Sequence, residues 1–101
     1  MTVRRPVGQA GRPRNRRVSV AADDLRAGWR GDPVRCPLAL ALARDLGRTV
    51  ISVGYFGILI EGEWMYSTSP ALMRWLWRLD DGDQVEAVVV TFGVDGLARL
   101  E

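Results

Sequence analysis

Residues 36–47 read CPLALALARDLG, and this stretch decides what kind of domain the chain forms. Pro37 suits the first position of a helix, because the N–H that it lacks has no partner there. Gly47 is the residue type that most often ends a helix in the left-handed conformation. Leucines recur every four residues between them, with alanines alongside. The pattern predicts a nearly all-apolar helix at the centre of the core.

A second helix is predicted to begin after Ser69, a good N-cap residue, with Pro70 in the first helical position. The acidic run at residues 80–83 ends it. Apolar residues with the i, i+3, i+4, i+7 spacing predict its inward face. They are Leu72, Trp75, Leu76 and Leu79.

Four segments have the alternation, or the β-branched and aromatic content, that is typical of strands. They are residues 17–21, 49–60, 64–67 and 85–92. The second segment is broken by Gly54 and Gly57, so it is either one bulged strand or two short ones. Residues 61–63 are predicted to form the hairpin loop that connects it to the third segment.

Taken in order, these elements predict a single small α+β domain over residues 18–101, with the order β-α-β-β-α-β. We expect a mostly antiparallel sheet of three or four strands, with two helices on one face. Asp23 and Asp24 are expected to cap a short turn or helix after the first strand. The chain after residue 96 is expected to fray, and the pattern does not assign the strand order.

The first 17 residues differ in composition from the rest of the chain. They contain six arginines and no acid, with Pro and Gly breakers and almost no apolar residue, which predicts a disordered basic arm. Residues 18–101 contain the other eight arginines and all twelve acidic residues, so this part of the chain carries a net charge of −4. The arm is either a polyanion-binding element or a solvated tail. Its arginines are Arg4, Arg5, Arg12, Arg14, Arg16 and Arg17.

Few side chains that carry catalytic chemistry are present. The chain has no His and one cysteine, Cys36, which excludes an internal disulfide, a Cys/His zinc site and a triad with His as base. The acidic cluster at residues 80–86 lacks the spacing of a calcium loop. Glu61 and Glu63 could approach each other as the acids of a glycosidase do, but at a hairpin tip they are expected to be fully solvated, so both clusters are interpreted as helix-end and turn residues. We therefore expect no enzyme activity, no metal and no cofactor. The weakest alternative is a thiol enzyme, in which the helix N-terminus would lower the pKa of Cys36.

The second helix also carries the best candidate for a binding surface. Trp77 lies about 200° around the helix from Trp75, close to Met73 and off the inward stripe. Arg74 and Arg78 flank the same outer side. Trp, Met and Arg are enriched at protein–protein contacts, so these residues are a candidate protein-binding site. The alternative is that Trp77 covers a second side of the core or packs under the N-terminal segment.

Gly31-Asp32, followed after three residues by Cys36-Pro37 and then by Leu-Ala-Leu-Ala-Leu, forms a motif. It resembles a segment of uncharacterised small proteins from actinobacteria and their phages. The resemblance covers roughly residues 17–92 and leaves out most of the basic arm. It implies a strand before the motif, a hairpin after it, a helix ending near Asp81-Gly82 and a final valine-rich strand. It supplies no catalytic residues, and it implies an accessory protein of a phage or mobile element.

These observations predict a small non-enzymatic binding protein that acts through the second helix or the sheet. The expected partner is a host or cellular protein, and a homodimer is a further option. No apolar run approaches the roughly 18–20 residues of a membrane span, so we expect no membrane contact and a cytoplasmic location. The alternative function is nucleic-acid binding through the basic arm.

Overall fold

A computed structural model describes residues 15–47, 50–61 and 65–101. This part of the chain forms an α+β domain of six strands and three helices. In chain order they are β1 (Arg16–Val20), α1 (Ala22–Ala27), α2 (Pro37–Leu46), β2 (Val50–Val53), β3 (Gly57–Ile60), β4 (Tyr66–Thr68), α3 (Pro70–Asp80), β5 (Val88–Phe92) and β6 (Leu97–Leu100).

The six strands form one mixed sheet in the order β1-β5-β6-β4-β3-β2. The expectation of three or four mostly antiparallel strands is therefore wrong in strand number. One pair, β4 with β6, is also parallel, whereas the other neighbours run antiparallel. The parallel pair arises because α3 carries the chain from β4 across to β5. The chain then reverses direction, and β6 lies between β5 and β4 in the sheet.

Two sequence segments account for the extra strands. The end that was expected to fray is β6, which turns back at Gly96 with a φ of 81° and buries Ala98 opposite Phe92. The segment 49–60 divides into β2 and β3, so the alternative of two short strands is the right one. Residue 49 at the start of that segment, residues 62 and 63 of the predicted hairpin loop and residue 64 of the third segment lie outside the described residues.

Several boundaries differ from the prediction, among them that of the third predicted strand, which is β4 (Tyr66–Thr68) in place of residues 64–67. β1 begins at Arg16, so Arg16 and Arg17 belong to the sheet and not to the arm that was predicted for residues 1–17. Residues 85–87 precede β5 and are not part of it. The N-cap of α1 is Ala21, and Asp24 acts from the third helical position, where its Oδ2 accepts the Ala21 N–H at 2.9 Å.

Both long helices have the boundaries and buried faces that the sequence predicts. α2 is buried along most of its surface, and Gly47 ends it in the left-handed conformation with a φ of 61°. At the start of α3, the Ser69 Oγ accepts the Leu72 N–H at 3.2 Å. Burial alternates along β1 and β3, so one face of these two strands points into the core. α2 packs against β1 and β2, and α3 packs against β6.

Candidate functional site

The four residues predicted to bind a partner lie on successive turns of the outer side of α3. Trp77 is 44% exposed, Arg74 and Arg78 are exposed, and Met73 is partly buried. The inward stripe is buried as predicted and does not include Trp77. The outer side of α3 therefore presents a large aromatic ring that the core of the domain does not use.

Trp77 is supported by a residue that sequence reasoning did not find. The Tyr55 ring, in the turn between β2 and β3, meets Trp77 edge to face, with 5.9 Å between the ring centroids and 67° between the planes. Trp77 does not belong to the buried core, so the alternative that it covers a second side of the core is not supported, and the N-terminal segment of the other alternative lies outside the described residues. Tyr55 is distant in sequence and lies on another element, so no local pattern links the two rings.

The turn that carries Tyr55 is tied to the start of α3. Thr68, next to the N-cap of α3, donates its N–H to the Phe56 carbonyl at 3.3 Å and its hydroxyl to the Tyr55 carbonyl. Phe56 is 76% exposed. We call Tyr55 and Trp77 the aromatic patch. The hydrogen bonds of Thr68 hold the β2–β3 turn against the start of α3, so the backbone that carries Tyr55 is fixed relative to the helix that carries Trp77.

The two arginines that flank Trp77 have different surroundings. The Arg78 guanidinium lies 3.7 Å from the Glu86 carboxylate and also donates to the Gln84 carbonyl at 3.5 Å. Arg78 is thereby anchored to the segment that follows α3. Arg74 is exposed on the preceding turn. Of the two, Arg74 is the better placed to contact a partner.

A cleft of about 210 Å³ adjoins the aromatic patch. It lies between the loop before α2, the β2–β3 turn and the end of α3, and Tyr55 belongs to both the cleft and the patch. Sequence reasoning did not find this cleft. Its lining residues are Gly31, Asp32, Pro33, Cys36, Val53, Gly54, Tyr55, Leu76 and Asp80.

The Asp80 carboxylate connects the three walls of the cleft. Its Oδ1 accepts the Gly31 N–H at 2.9 Å, and its Oδ2 accepts the Tyr55 hydroxyl. This hydrogen bond raises the pKa of Tyr55, because the phenol donates to a carboxylate. The sequence interpretation of Asp80 as a helix-end residue was correct about its position and missed these long-range partners.

The Gly-Asp…Cys-Pro motif folds into the turn that forms one wall of the cleft. Gly31 has a φ of 76°, which favours glycine. The Asp32 Oδ1 accepts the N–H groups of Val34 and Arg35, both at 2.9 Å, and the Asp32 carbonyl accepts the Cys36 N–H at 3.0 Å. The residue types of this motif thus have a structural explanation in the turn.

Cys36 is the N-cap of α2, and its side chain is buried. Burial raises the pKa of its thiol, an effect that exceeds the opposing hydrogen bonds from the backbone of Ala39 and Leu38. The nearby carboxylates of Asp80 and Asp32 raise it further. The expectation that the helix N-terminus would lower this pKa is therefore wrong, because desolvation dominates.

Cys36 is expected to react slowly with a thiol reagent. In the native protein, the rate of reaction with an aromatic disulfide near pH 8 should be at least about tenfold lower than in urea, since the thiol is both buried and protonated. The reaction is followed by absorbance, with the unfolded chain as the internal reference. Equal rates in the two states would contradict the buried position.

Of the six arginines assigned to the basic arm, the structure describes Arg16 and Arg17. Arg4, Arg5, Arg12 and Arg14 lie outside the described residues. Arg17 lies in β1, where its Nε donates to the Glu101 Oε2 at 2.7 Å, and this carboxylate raises the Arg17 pKa. Nucleic-acid binding through the arm stays a prediction, and Arg17 is already engaged within the sheet.

Three further observations are not tied to one site. Across residues 15–47, 50–61 and 65–101, the longest helix has 11 residues, and none is long and apolar enough to cross a membrane. Over the same residues, His, Cys, Asp and Glu side chains form no group of three that could hold a metal ion. Comparison with known protein families, curated proteins and solved structures finds no match to this chain.

Proposed function

We propose that this chain is a non-enzymatic binding protein that docks a partner protein on the outer side of α3, with Trp77 at the centre of the contact. The observation that carries the proposal is that Trp77 is 44% exposed while its ring is braced by Tyr55. A large aromatic side chain that is already held in place loses little conformational freedom when a partner covers it. Such residues are frequent among the hot spots of interfaces.

The surroundings of Trp77 support the same proposal. Phe56, next to Tyr55 in the β2–β3 turn, is also highly exposed, and the partly buried Met73 lies one helical turn before Trp77. Arg74 and Arg78 provide a charged rim. An apolar centre with a polar rim is the composition of a specific protein contact.

The biological setting is also a proposal. The Gly-Asp…Cys-Pro resemblance suggests an accessory protein of an actinobacterial phage or mobile element, working in the cytoplasm on a host protein. The lack of His and the buried, protonated Cys36 support a binding role over a catalytic one. Partner capture should therefore be tested first with an actinobacterial lysate.

Replacing Trp77 with alanine is expected to weaken partner binding by about 30-fold or more, as for a hot-spot residue. The matched control is Trp29→Ala. Trp29 is also exposed, at 58%, but lies in the loop before α2 with the Arg35 guanidinium 4.8 Å from its ring centre. Proteins captured by the full chain and by each variant are identified by mass spectrometry, and the affinity of each purified partner is measured by calorimetry.

Two outcomes decide the proposal. A partner that is lost with Trp77→Ala and kept with Trp29→Ala supports it. Partners that are kept with both variants, or lost equally with both, overturn it. Circular dichroism of each variant confirms that the fold is retained before the affinities are compared.

A further inference from the structure

The cleft beside the aromatic patch has the size of a receptor for one side chain. Its volume of about 210 Å³ falls below the roughly 300–1,000 Å³ that is usual for pockets that enclose a small-molecule ligand. Pro33, Val53 and Leu76 supply apolar walls. A long side chain with an apolar stem would bury that stem against these walls.

The charge of the cleft is uniform. Asp32 and Asp80 line it, and none of the other described lining residues is basic. The nearest arginines of the same loop have other partners. Arg30 donates to the carbonyls of Leu79 and Asp83, and the Arg35 guanidinium lies over the Trp29 ring. The cleft therefore complements a cation.

Both carboxylates keep acceptor capacity for an incoming donor. An ionised carboxylate offers about four lone-pair sites. Asp80 uses one bond on each oxygen, from Gly31 and Tyr55, and the two backbone bonds to Asp32 are both on Oδ1. These bonds come from neutral donors, so they orient the carboxylates without cancelling their charge.

We infer that this cleft receives an arginine side chain of the partner, an inference that rests on the function proposed above. A guanidinium can bond a carboxylate through two parallel N–H groups and is more weakly hydrated than an ammonium, so it is easier to bury. It also stacks on aromatic rings, and Tyr55 forms the wall that the cleft shares with the aromatic patch. The partner contact thus consists of an apolar surface over Trp77 and an arginine in the adjoining cleft.

The test uses the full chain, labelled with ¹⁵N, and N-acetyl-arginine amide as the probe. We expect saturable shifts of the backbone amides of Gly31, Gly54 and Tyr55, which line the cleft. N-acetyl-citrulline amide has nearly the same shape without the charge, and it should bind at least about tenfold more weakly, because hydrogen bonds between charged groups are lost. Equal binding of the two probes, or shifts away from the cleft, would overturn the inference.

Two variants test whether the charge that attracts the arginine probe is that of the cleft. Asp80→Asn keeps an oxygen for the Gly31 N–H and should weaken binding of the arginine probe by about tenfold. Asp95→Asn removes a carboxylate from the turn before β6, where Asp95 pairs with Arg99, and should leave the affinity unchanged. Equal effects of the two variants overturn the inference. The citrulline comparison uses the unaltered chain, so it decides the question even where Asp80→Asn impairs folding.

The basic arm of the chain itself is the competing occupant. In the full chain with Arg4, Arg5, Arg12 and Arg14 all replaced by Gln, probe affinity equal to that of the unaltered chain supports a cleft that is open to a partner. Probe binding that appears only in this variant assigns the cleft to the arm and overturns the inference. Partner loss with Trp77→Ala, without any arginine binding, leaves the proposed function standing and removes only the inference. Arginine binding with no effect of Trp77→Ala on capture removes the proposed function instead.

Discussion

Trp75→Ala is expected to lower the free energy of unfolding by about 3–5 kcal/mol, the range for a large aromatic side chain removed from a core. Trp75 is 2% exposed and belongs to the main cluster of buried residues. Its indole N–H also donates to the Glu86 carbonyl at 3.1 Å, which ties the segment before β5 to α3. Since small domains are stable by about 5–15 kcal/mol, this change removes a large share of the stability.

Trp77→Ala is the matched control, because it makes the same change two residues along the same helix. It should cost about 1 kcal/mol, mainly the edge-to-face contact with Tyr55. Urea denaturation of both variants, followed by circular dichroism, gives the two free energies. Equal losses would place Trp77 in the core and remove the argument for a binding surface on α3.

Gly28→Ala is expected to cost about 3 kcal/mol, at the upper end of the usual range for overpacking. A Cβ on Gly28 would lie 2.4 Å from the Pro37 backbone nitrogen and 2.5 Å from the Pro37 Cδ. The backbone of Gly28, with φ −74° and ψ 151°, is open to any residue. Contact with the start of α2 therefore requires glycine here, and the clash involves atoms that cannot move away without shifting α2.

Gly47→Ala separates this steric effect from backbone strain. Gly47 has a φ of 61°, but a Cβ there would meet nothing within 4 Å. The expected loss is about 1–2 kcal/mol, from the left-handed conformation alone. Thermal and urea unfolding of the two variants provide the comparison. A Gly28→Ala variant as stable as the unaltered chain would show that α1 and α2 are not packed as closely as the structure has them.

Local signals were sufficient for the two long helices. Pro37, Ser69 and Gly47 act on their own helix through backbone groups within one turn, so reading neighbouring residues is enough to place the ends. The outer position of Trp77 follows from helical periodicity for the same reason. The strand number did not follow, because a short strand such as β6 becomes a strand only through the neighbours with which it pairs.

The candidate site was likewise predictable from the sequence only in part. The sequence by itself determined the class of the fold, the limits of α2 and α3, and the side of α3 on which Trp77, Arg74 and Arg78 lie. Only the tertiary structure decided that Tyr55 braces Trp77 and that Asp80 joins Gly31 to Tyr55. These contacts join segments far apart in the chain, and sequence periodicity reports only which side of an element a residue faces. Which element then meets that side is set by the packing of the whole domain.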